Sequence, residues 1–359
     1  MKVLVIGNSE SVYVRDFVQN MQLKTGYTFD VLSWNEGRLT PNENVREISV
    51  SLPRLLKNVR KVRGVWKLWK YINALKKLDR YDVCHFHYVG KEAVLVSKIA
   101  REKSNHMISS VWGSDFHRSS DKFRNKQMRD YDSSEIITFA TEEASNAFVD
   151  YYPMYSVKTR ICTFGLSPLD FLRNGMGSQE NCREVLGIPK DAITICVGYN
   201  AGRWQRHKEV IRSIVKVKNK LLRQTHHKLC LILPMTYGRD EKYVREVEEE
   251  LFGCGIQRVV LHKFMNPLTS AALKTVTDIF INVQPTDVLS GSMLEHLYAG
   301  SVVVTGSWLP YKVLEDMKIH LHRVDKVDEV GSKIYSILPY LGLWKALNED
   351  KKESIYRLA

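Results

Sequence analysis

The sequence predicts an α/β fold of two Rossmann-like domains facing a cleft. Three observations carry this expectation. The chain opens on an apolar run, Lys2-Val3-Leu4-Val5-Ile6, that ends in Gly7. Similar runs recur, separated by stretches of helical length. The alternation lapses once, between Phe164 and Pro189, and then resumes. Strands alternating with helices imply parallel sheets with right-handed crossovers. A strand covered on both faces reads as a continuous apolar run.

In the first half the opening strand leads to a helix over Tyr13 to Leu23 and a second strand at Phe29 to Leu32. Further strands are expected at Val83 to Phe86, Met107 to Val111 and Ile136 to Phe139. Gly165, Pro168, Gly175, Gly177 and Gly187 punctuate the lapse and mark an interdomain linker with a short helix. The second half places strands at Ala192 to Gly198, Lys228 to Pro234, Val259 to Leu261, Ile279 to Val283 and Val302 to Thr305. Helices are expected at Lys208 to Leu222, Glu241 to Phe252, Asn266 to Thr275 and Gly291 to Ala299. The domains are then 1–165 and 166–344, with a C-terminal helix, 345–359, expected to complete the first. Two such sheets would line one cleft with the loops that follow their strands, where ligands of doubly wound sheets bind.

Composition excludes collagen, coiled-coil and wholly disordered chains, with 44% hydrophobic and 26% charged residues. Lys and Arg number 53 against 40 Asp and Glu, a net charge of +13 in the 359 residues. Such a chain favours polyanions, whether nucleic acid, anionic lipid or phosphorylated substrates. The six cysteines form no CxxC pair and most lie in apolar runs. They read as buried reduced thiols of a cytosolic protein, not as a zinc or disulfide framework. The opening MKVLVIGNSE lacks a signal peptide's apolar core, and no stretch reaches about 18 apolar residues.

The most informative segment runs from Gln284 to Gly300, joining a strand to a helix. Ser290-Gly291-Ser292 stands where that helix begins. Small residues there admit a ligand to the backbone, and the free N–H groups and helix dipole favour phosphate. Glu295 lies one turn inside, suited to accept hydrogen bonds from a ribose. Asp287 lies eight positions earlier, suited to reach a sugar. The blander reading is an ordinary capped helix with a solvated acid. A second segment, Val197 to Lys208, follows the first strand of the second half and offers Arg203, Arg206, His207 and Lys208. Fixed cations there would stabilise the charge on a leaving diphosphate. Cations at a helix start otherwise oppose its dipole.

These segments resemble the donor site of retaining GT-B glycosyltransferases of the family-4 type, whose signature is two acids separated by seven residues around a glycine loop. Asp287 and Glu295 have that spacing, with Asp in place of the usual first Glu. The family's Arg-x4-Lys spacing selects Arg203 and Lys208, beside Gly198 and Asn200. In the first half Asp82 to His87 resembles the family's strand ending in His-x-His. Val111 to Asp115 resembles its His-Gly-Ser-Asp loop, with Trp112 replacing the histidine. Ile161 to Leu166 resembles its phenylalanine-glycine hinge. The resemblance implies a metal-independent transfer with no cofactor beyond a UDP-, dTDP- or GDP-linked sugar as substrate. It implies catalytic roles for Asp287, Asp115 and His87, and donor contacts from Arg203, Lys208, Gly198, Asn200, Ser290, Gly291, Ser292 and Glu295. The acceptor side falls to Gly7, Asn8, Ser9 and Trp112. Gly198 to Asn200, Leu233 to Gly238 and Leu289 to Ser292 are also similar to the 4-acetamido-4,6-dideoxygalactose transferases of enterobacterial common antigen synthesis. Those enzymes use a dTDP-linked 6-deoxy sugar, and a lost hydroxymethyl contact at Trp112 suits such a donor.

From Arg54 to Arg80 the chain carries ten Lys and Arg and one acid, interleaved with tryptophan and leucine. That composition describes an interfacial amphipathic helix. Trp66, Lys67, Trp69 and Lys70 would hold the protein on an anionic membrane surface, the inner face of the cytoplasmic membrane, beside a glycan or polyprenyl-diphosphate-linked acceptor. A solvated helix packed on the sheet is the blander reading. Asp130-Tyr131-Asp132 matches an Asp-x-Asp metal motif but precedes a strand, the wrong end for the cleft. His226, His227, His320 and His322 read as surface residues without metal partners. Two alternatives remain: a nucleotide-sugar 2-epimerase of the same fold, or a basic nucleic-acid-binding or membrane-binding protein. The motifs of nucleic-acid modules are absent, so no nucleic-acid partner is expected.

Overall fold

The structure is a computed structural model. It describes all residues except 35–38, 40, 41, 51–59, 164, 227 and 239, and the side chains of 60–63. The chain divides into two units, Met1–Gly165 and Leu166–Ala359.

The first unit is a parallel sheet of seven strands: β1 (Lys2–Ile6), β2 (Thr28–Ser33), β3 (Val45–Ser49), β4 (Tyr81–His87), β5 (Ser104–Val111), β6 (Ile136–Phe139) and β7 (Thr159–Ile161). Their order is β3-β2-β1-β4-β5-β6-β7. The second unit has six parallel strands: β8 (Ile193–Val197), β9 (Leu229–Pro234), β10 (Gln257–Leu261), β11 (Ile279–Asn282), β12 (Val302–Gly306) and β13 (His322–Val324). Their order is β10-β9-β8-β11-β12-β13. Each sheet is doubly wound, its order reversing between β1 and β4 or between β8 and β11.

Apolar residues on both faces explain the continuous runs in the sequence. In the second sheet Ile195, Leu231, Ile281 and Val304 pack with helices His207–Lys216, Glu241–Phe252 and Val330–Ile337. Cys196, Ile232, Phe280 and Val303 pack on the other face with Pro267–Thr275, Gly291–Tyr298 and Lys352–Leu358. The period of two along each strand thus feeds two cores from one sheet.

All strands expected from the sequence are present, and three were missed. β3 reads Val-Arg-Glu-Ile-Ser, while β7 and β13 have three residues each. All three lie at a sheet edge, where one side faces solvent and the apolar signal is thin. The helix expected from Lys208 to Leu222 is two, His207–Lys216 and Lys218–Gln224, broken where Val217 takes φ −112° and ψ 9°. The hinge reading at Phe164 and the first residues of the basic segment lie outside the described residues. The tail, expected to complete the first unit, belongs to the second. Ile355 is fully buried in its core, Tyr356 Oη donates to Asp170 at 2.7 Å, and Glu353 pairs with Arg173 at 3.2 Å.

Helix Val330–Ile337 lies unusually close to His207–Lys216. A Cβ on Gly331 would stand 2.3 Å from the Ser213 carbonyl oxygen. The Ser213 hydroxyl donates to the Asp328 carbonyl at 2.7 Å and accepts from the Gly331 N–H at 2.9 Å. Backbone cannot move aside as a flexible side chain does, so Gly331→Ala is expected to lower the stability of the second unit by about 1–3 kcal/mol. Chemical denaturation measures this, and an unchanged midpoint would show that the helix pair yields without cost.

Candidate functional site

In the second unit the strand order reverses between β8 and β11, and the loops leaving the carboxyl ends of these strands stand where doubly wound sheets bind ligands. β11 ends at Asn282, which is 1% exposed. Its side-chain amide donates to Asp287 Oδ2 at 2.8 Å and to Tyr311 Oη at 2.8 Å. Tyr311 Oη in turn donates to the same Asp287 oxygen at 2.5 Å, and the Val288 N–H reaches Asp287 Oδ1 at 3.0 Å. Burial and the Asp287 charge both raise the Tyr311 phenol's pKa, so it stays a donor. Asp287 is thereby fixed in orientation by two neutral side chains.

Gln284 extends the network. Its amide donates to Asn282 Oδ1 at 3.1 Å and to Tyr199 Oη at 3.0 Å. Tyr199 also interacts with the side chains of Gln205 and Ser290, and burial pushes its phenol up to about 12. One phenol therefore ties the loop after β8 to the loop after β11. Gly198 makes the approach possible. It takes φ +65°, and a Cβ there would lie 2.7 Å from Gln205 Oε1. Asn200 Oδ1 closes the next turn by accepting from the Gly202 N–H at 2.8 Å.

Ser290 is the N-cap of helix Gly291–Tyr298, its Oγ accepting from the Met293 N–H at 3.3 Å. Ser290, Gly291 and Ser292 thus stand at the helix start as the sequence implied. Glu295 is 6% exposed and pairs at 3.0 Å with Lys274 of helix Pro267–Thr275, itself 3% exposed. Lys274 also donates to Ser270 Oγ at 2.9 Å. Asp287 and Glu295 are thus held by different partners, a polar triangle and a buried cation.

The basic loop is less free than its composition suggests. Arg203 pairs with Asp240 at 2.9 Å and Glu246 at 3.6 Å, and Lys208 pairs with Glu246 at 2.9 Å. Asp240 is the N-cap of helix Glu241–Phe252 and Glu246 lies in its second turn, on the neighbouring βα unit. His207 is fully buried and its pKa falls to about 4 because burial disfavours the charged ring. Its Nδ1 meets Tyr243 Oη at 3.3 Å.

In the first unit the corresponding strand ends bring His87, Gly7 and Trp112 together. A Cβ on Gly7 would lie 3.1 Å from His87 Cβ, so the glycine admits the end of β4. His87 is 2% exposed among the rings of Phe17, His85 and Trp112. Burial, with the charge of His85 adding to it, drives the His87 pKa well below its usual value, so the imidazole is neutral. Asp115, expected to be catalytic, clamps its loop. It is 2% exposed, and its two oxygens accept from the Val89 and Trp112 N–H groups at 2.8 and 2.9 Å. Burial raises its pKa to about 6 against the effect of those N–H donors. Ser9 likewise faces inward, its hydroxyl donating to Glu47 Oε1 at 2.5 Å and its N–H to Ser33 Oγ at 3.1 Å. Glu47 belongs to the missed β3, so the sequence offered no partner for Ser9. Asn8 is exposed and caps the Glu10 N–H at 3.1 Å.

The basic segment forms helix Arg60–Lys77. Lys67, Tyr71 and Leu75 recur every four residues and make its buried stripe, with Lys67 8% exposed and 5.1 Å from the Trp34 ring centroid. Lys67 therefore faces the protein, contrary to expectation. Trp69 is 58% exposed, Val65 72%, and Lys70 stands over the half-buried Trp66. Among the described residues no helix is long and apolar enough to cross a membrane. His320 and His322 are half-buried, not surface residues, since both rings pack on Trp344, His320 stacked at 4.9 Å. Asp130 is fully buried and accepts from Ser109 Oγ at 3.0 Å, a core position.

Sequence reasoning missed Asn282, Gln284, Tyr199, Tyr311 and Lys274. A signal existed for the first two: polar residues interrupting the apolar run Ile279–Val283 and the residue after it. Lys274 carried none, because a lysine on an amphipathic helix reads as solvated.

Residues 2–148 match the family model described as glycosyl transferase 4-like. No curated protein matches the sequence. Solved structures that resemble the chain include HepE of Anabaena in complex with UDP-glucose, at 12% identity over 99% of this chain and 95% of that one, with a TM-score of 0.71. Sucrose-phosphate synthase of Thermosynechococcus elongatus is 14% identical over 100% and 94%, with a TM-score of 0.73. The trehalose-6-phosphate synthase OtsA is 12% identical over 100% and 97%, at 0.71. The chain has the GT-B fold.

Two outcomes follow from this geometry. Lys274→Met strands the Glu295 carboxylate in the interior and is expected to cost about 3–5 kcal/mol, while replacing both partners by methionine costs far less. Equal losses in the single and double variants, by chemical denaturation, would show that the pair is not coupled. The second concerns acid. The unfolded chain protonates His207 near 6.5 but the folded unit resists until about 4, so that stability is present above 6.5 and lost as pH falls toward 4, about 3 kcal/mol at most. In the first unit burial raises Asp115 to about 6 and Asp130 to about 7, which favours the fold as pH falls and opposes the effect of His85 and His87. Hydrogen exchange between pH 7 and 4.5 is expected to show the second unit loosening first. Loosening of the first unit ahead of it would contradict this balance.

Proposed function

We propose that the chain is a glycosyltransferase that moves a sugar from a nucleoside diphosphate to a bacterial surface glycan or a lipid-linked oligosaccharide. The observation that carries this reading is the oriented Asp287, eight residues ahead of Glu295, on either side of a capped helix start. The match of residues 2–148 to a glycosyl transferase 4-like model and the likeness to a UDP-glucose complex support it. In this reading the donor sugar lies against Asp287, the ribose against Glu295, and the diphosphate against the loop amides at Ser290–Ser292 and the basic loop.

The reading takes the reaction as retaining and metal-independent. The bond from the anomeric carbon to the diphosphate breaks, and the acceptor oxygen bonds to the same face of that carbon. The acceptor proton passes to the leaving diphosphate oxygen, and neutral His87 lies on the acceptor side with Gly7, Asn8 and Trp112. A donor of the dTDP-linked 6-deoxy type is the finer proposal, on the ground of Trp112. Exposed Trp69 and Val65, with Lys70 and half-buried Trp66, would rest on the anionic inner face of the cytoplasmic membrane. Each basic residue near such a surface contributes about 1 kcal/mol.

A thermal-shift panel of UDP, dTDP, GDP and CMP tests the donor reading. One diphosphate at about a hundred times its dissociation constant is expected to stabilise the fold by about 2.7 kcal/mol, and Glu295→Gln to reduce that shift. No response to any nucleotide would sink the reading. Product analysis with donor alone separates the alternatives, because an epimerised sugar would replace transferase with 2-epimerase.

A further inference from the structure

Four basic groups stand in the loop and helix start that follow β8, and they are not equivalent. Arg203 and Lys208 are compensated by Asp240 and Glu246. Arg206 has no carboxylate partner among the described residues. It is the N-cap of helix His207–Lys216 and takes φ +56° and ψ 36°, a left-handed conformation that residues with a Cβ rarely adopt. A cation at that end of a helix also opposes the dipole. The wholly buried His207 lies beside it, its Nε2 without a partner among the described residues and 3.1 Å from where a Cβ of Gly198 would stand.

The guanidinium of Arg206 is placed by an aromatic ring. Its central carbon lies 5.6 Å from the ring centroid of Trp308, within the range of a cation–π contact. Trp308 is itself fixed from two sides. Its Nε1–H donates to the Gln284 carbonyl at 2.7 Å. Its indole lies against Gly306, where a Cβ would fall 2.4 Å from the ring. Gln284 is the residue that joins Tyr199 to Asn282, so Trp308 is anchored to the network that orients Asp287. The unbalanced charge, the unpartnered imidazole nitrogen and the helix start all suit one chemical group, a phosphate.

We propose that Arg206, in place of Arg203 or Lys208, is the cation that meets the diphosphate of the donor, and that Trp308 is its positioning residue. This rests on the donor reading given above. Arg203 and Lys208 then serve to brace helix His207–Lys216 against helix Glu241–Phe252.

Binding of UDP, dTDP and GDP, each beside its nucleoside, to the full chain and its variants tests the assignment by calorimetry. Arg206→Gly removes the cation and relieves the left-handed backbone, so its melting temperature is expected to equal or exceed that of the parent. Its affinity for the nucleoside diphosphate is expected to fall roughly 10- to 100-fold, with the nucleoside unaffected. Trp308→Ala is expected to follow Arg206→Gly, and Trp308→Phe, which keeps a ring face, to retain most of the affinity. Arg203→Ala is expected to stay within about threefold. The loss falling on Arg203→Ala, with Arg206→Gly binding as the parent does, would overturn the assignment and leave the donor reading standing. A parent protein that binds no diphosphate more tightly than its nucleoside would overturn both.

Discussion

The site depends on how one carboxylate is held at the end of a buried strand. Asp287 leaves β11 five residues after Asn282, and a charged side chain there must find donors or lose the advantage of ionisation. Asn282 and Tyr311 supply two hydrogen bonds to one oxygen, and the Val288 N–H supplies one to the other. Held from both oxygens, Asp287 loses its freedom to rotate. The partners come from the end of β11 and from the segment after β12, which are neighbours in the sheet. The strand order therefore decides which side chains can serve the acid. Gln284 and Tyr199 carry the same ordering across to the loop after β8.

Glu295 is treated in the opposite way. Its partner, Lys274, is a buried cation from the helix that precedes β11. One acid is met by a buried cation and the other by an amide and a phenol, so two carboxylates of one helix–loop segment are held by different chemistry. The same contrast recurs among the cations. Acids on the neighbouring helix compensate Arg203 and Lys208, whereas among the described residues Arg206 has no carboxylate partner and meets the face of Trp308. Charge counting along the loop sees four equivalent basic groups, and the fold makes them unequal.

Sequence pattern revealed the architecture because the signals that define it are local. Apolar runs such as Ile193–Val197 and Leu229–Pro234 are buried on both faces, so their hydrophobicity is uninterrupted. Edge strands gave less, and β3, with Arg46 and Glu47 between Val45 and Ile48, gave nothing. That omission hid the partner of Ser9. The acids of the site were legible through their spacing, and Ser290 through its place before an apolar helix. What stayed hidden was long-range pairing: Lys274 with Glu295, Asp240 with Arg203, Tyr311 with Asp287. These contacts are set by which helix crosses which strand, and no local rule connects residues 37 positions apart, as Arg203 and Asp240 are. Lys67 shows the same limit. Its charge spoke for the surface, and its four-residue spacing from Tyr71 placed it inside.

The tail has a consequence for how the second unit is closed as a chain. Helix Lys352–Leu358 lies against helix Ser167–Arg173 through Tyr356–Asp170 and Glu353–Arg173. Helices at the two ends of the unit Leu166–Ala359 are thus side by side. A segment whose ends meet is topologically close to a ring. Its continuity can be opened at another surface loop and joined at the old ends with little change in loop-closure entropy. The order of elements along the chain is then one of several linear readings of the same three-dimensional object, and the sheet, not the point of entry, defines the unit.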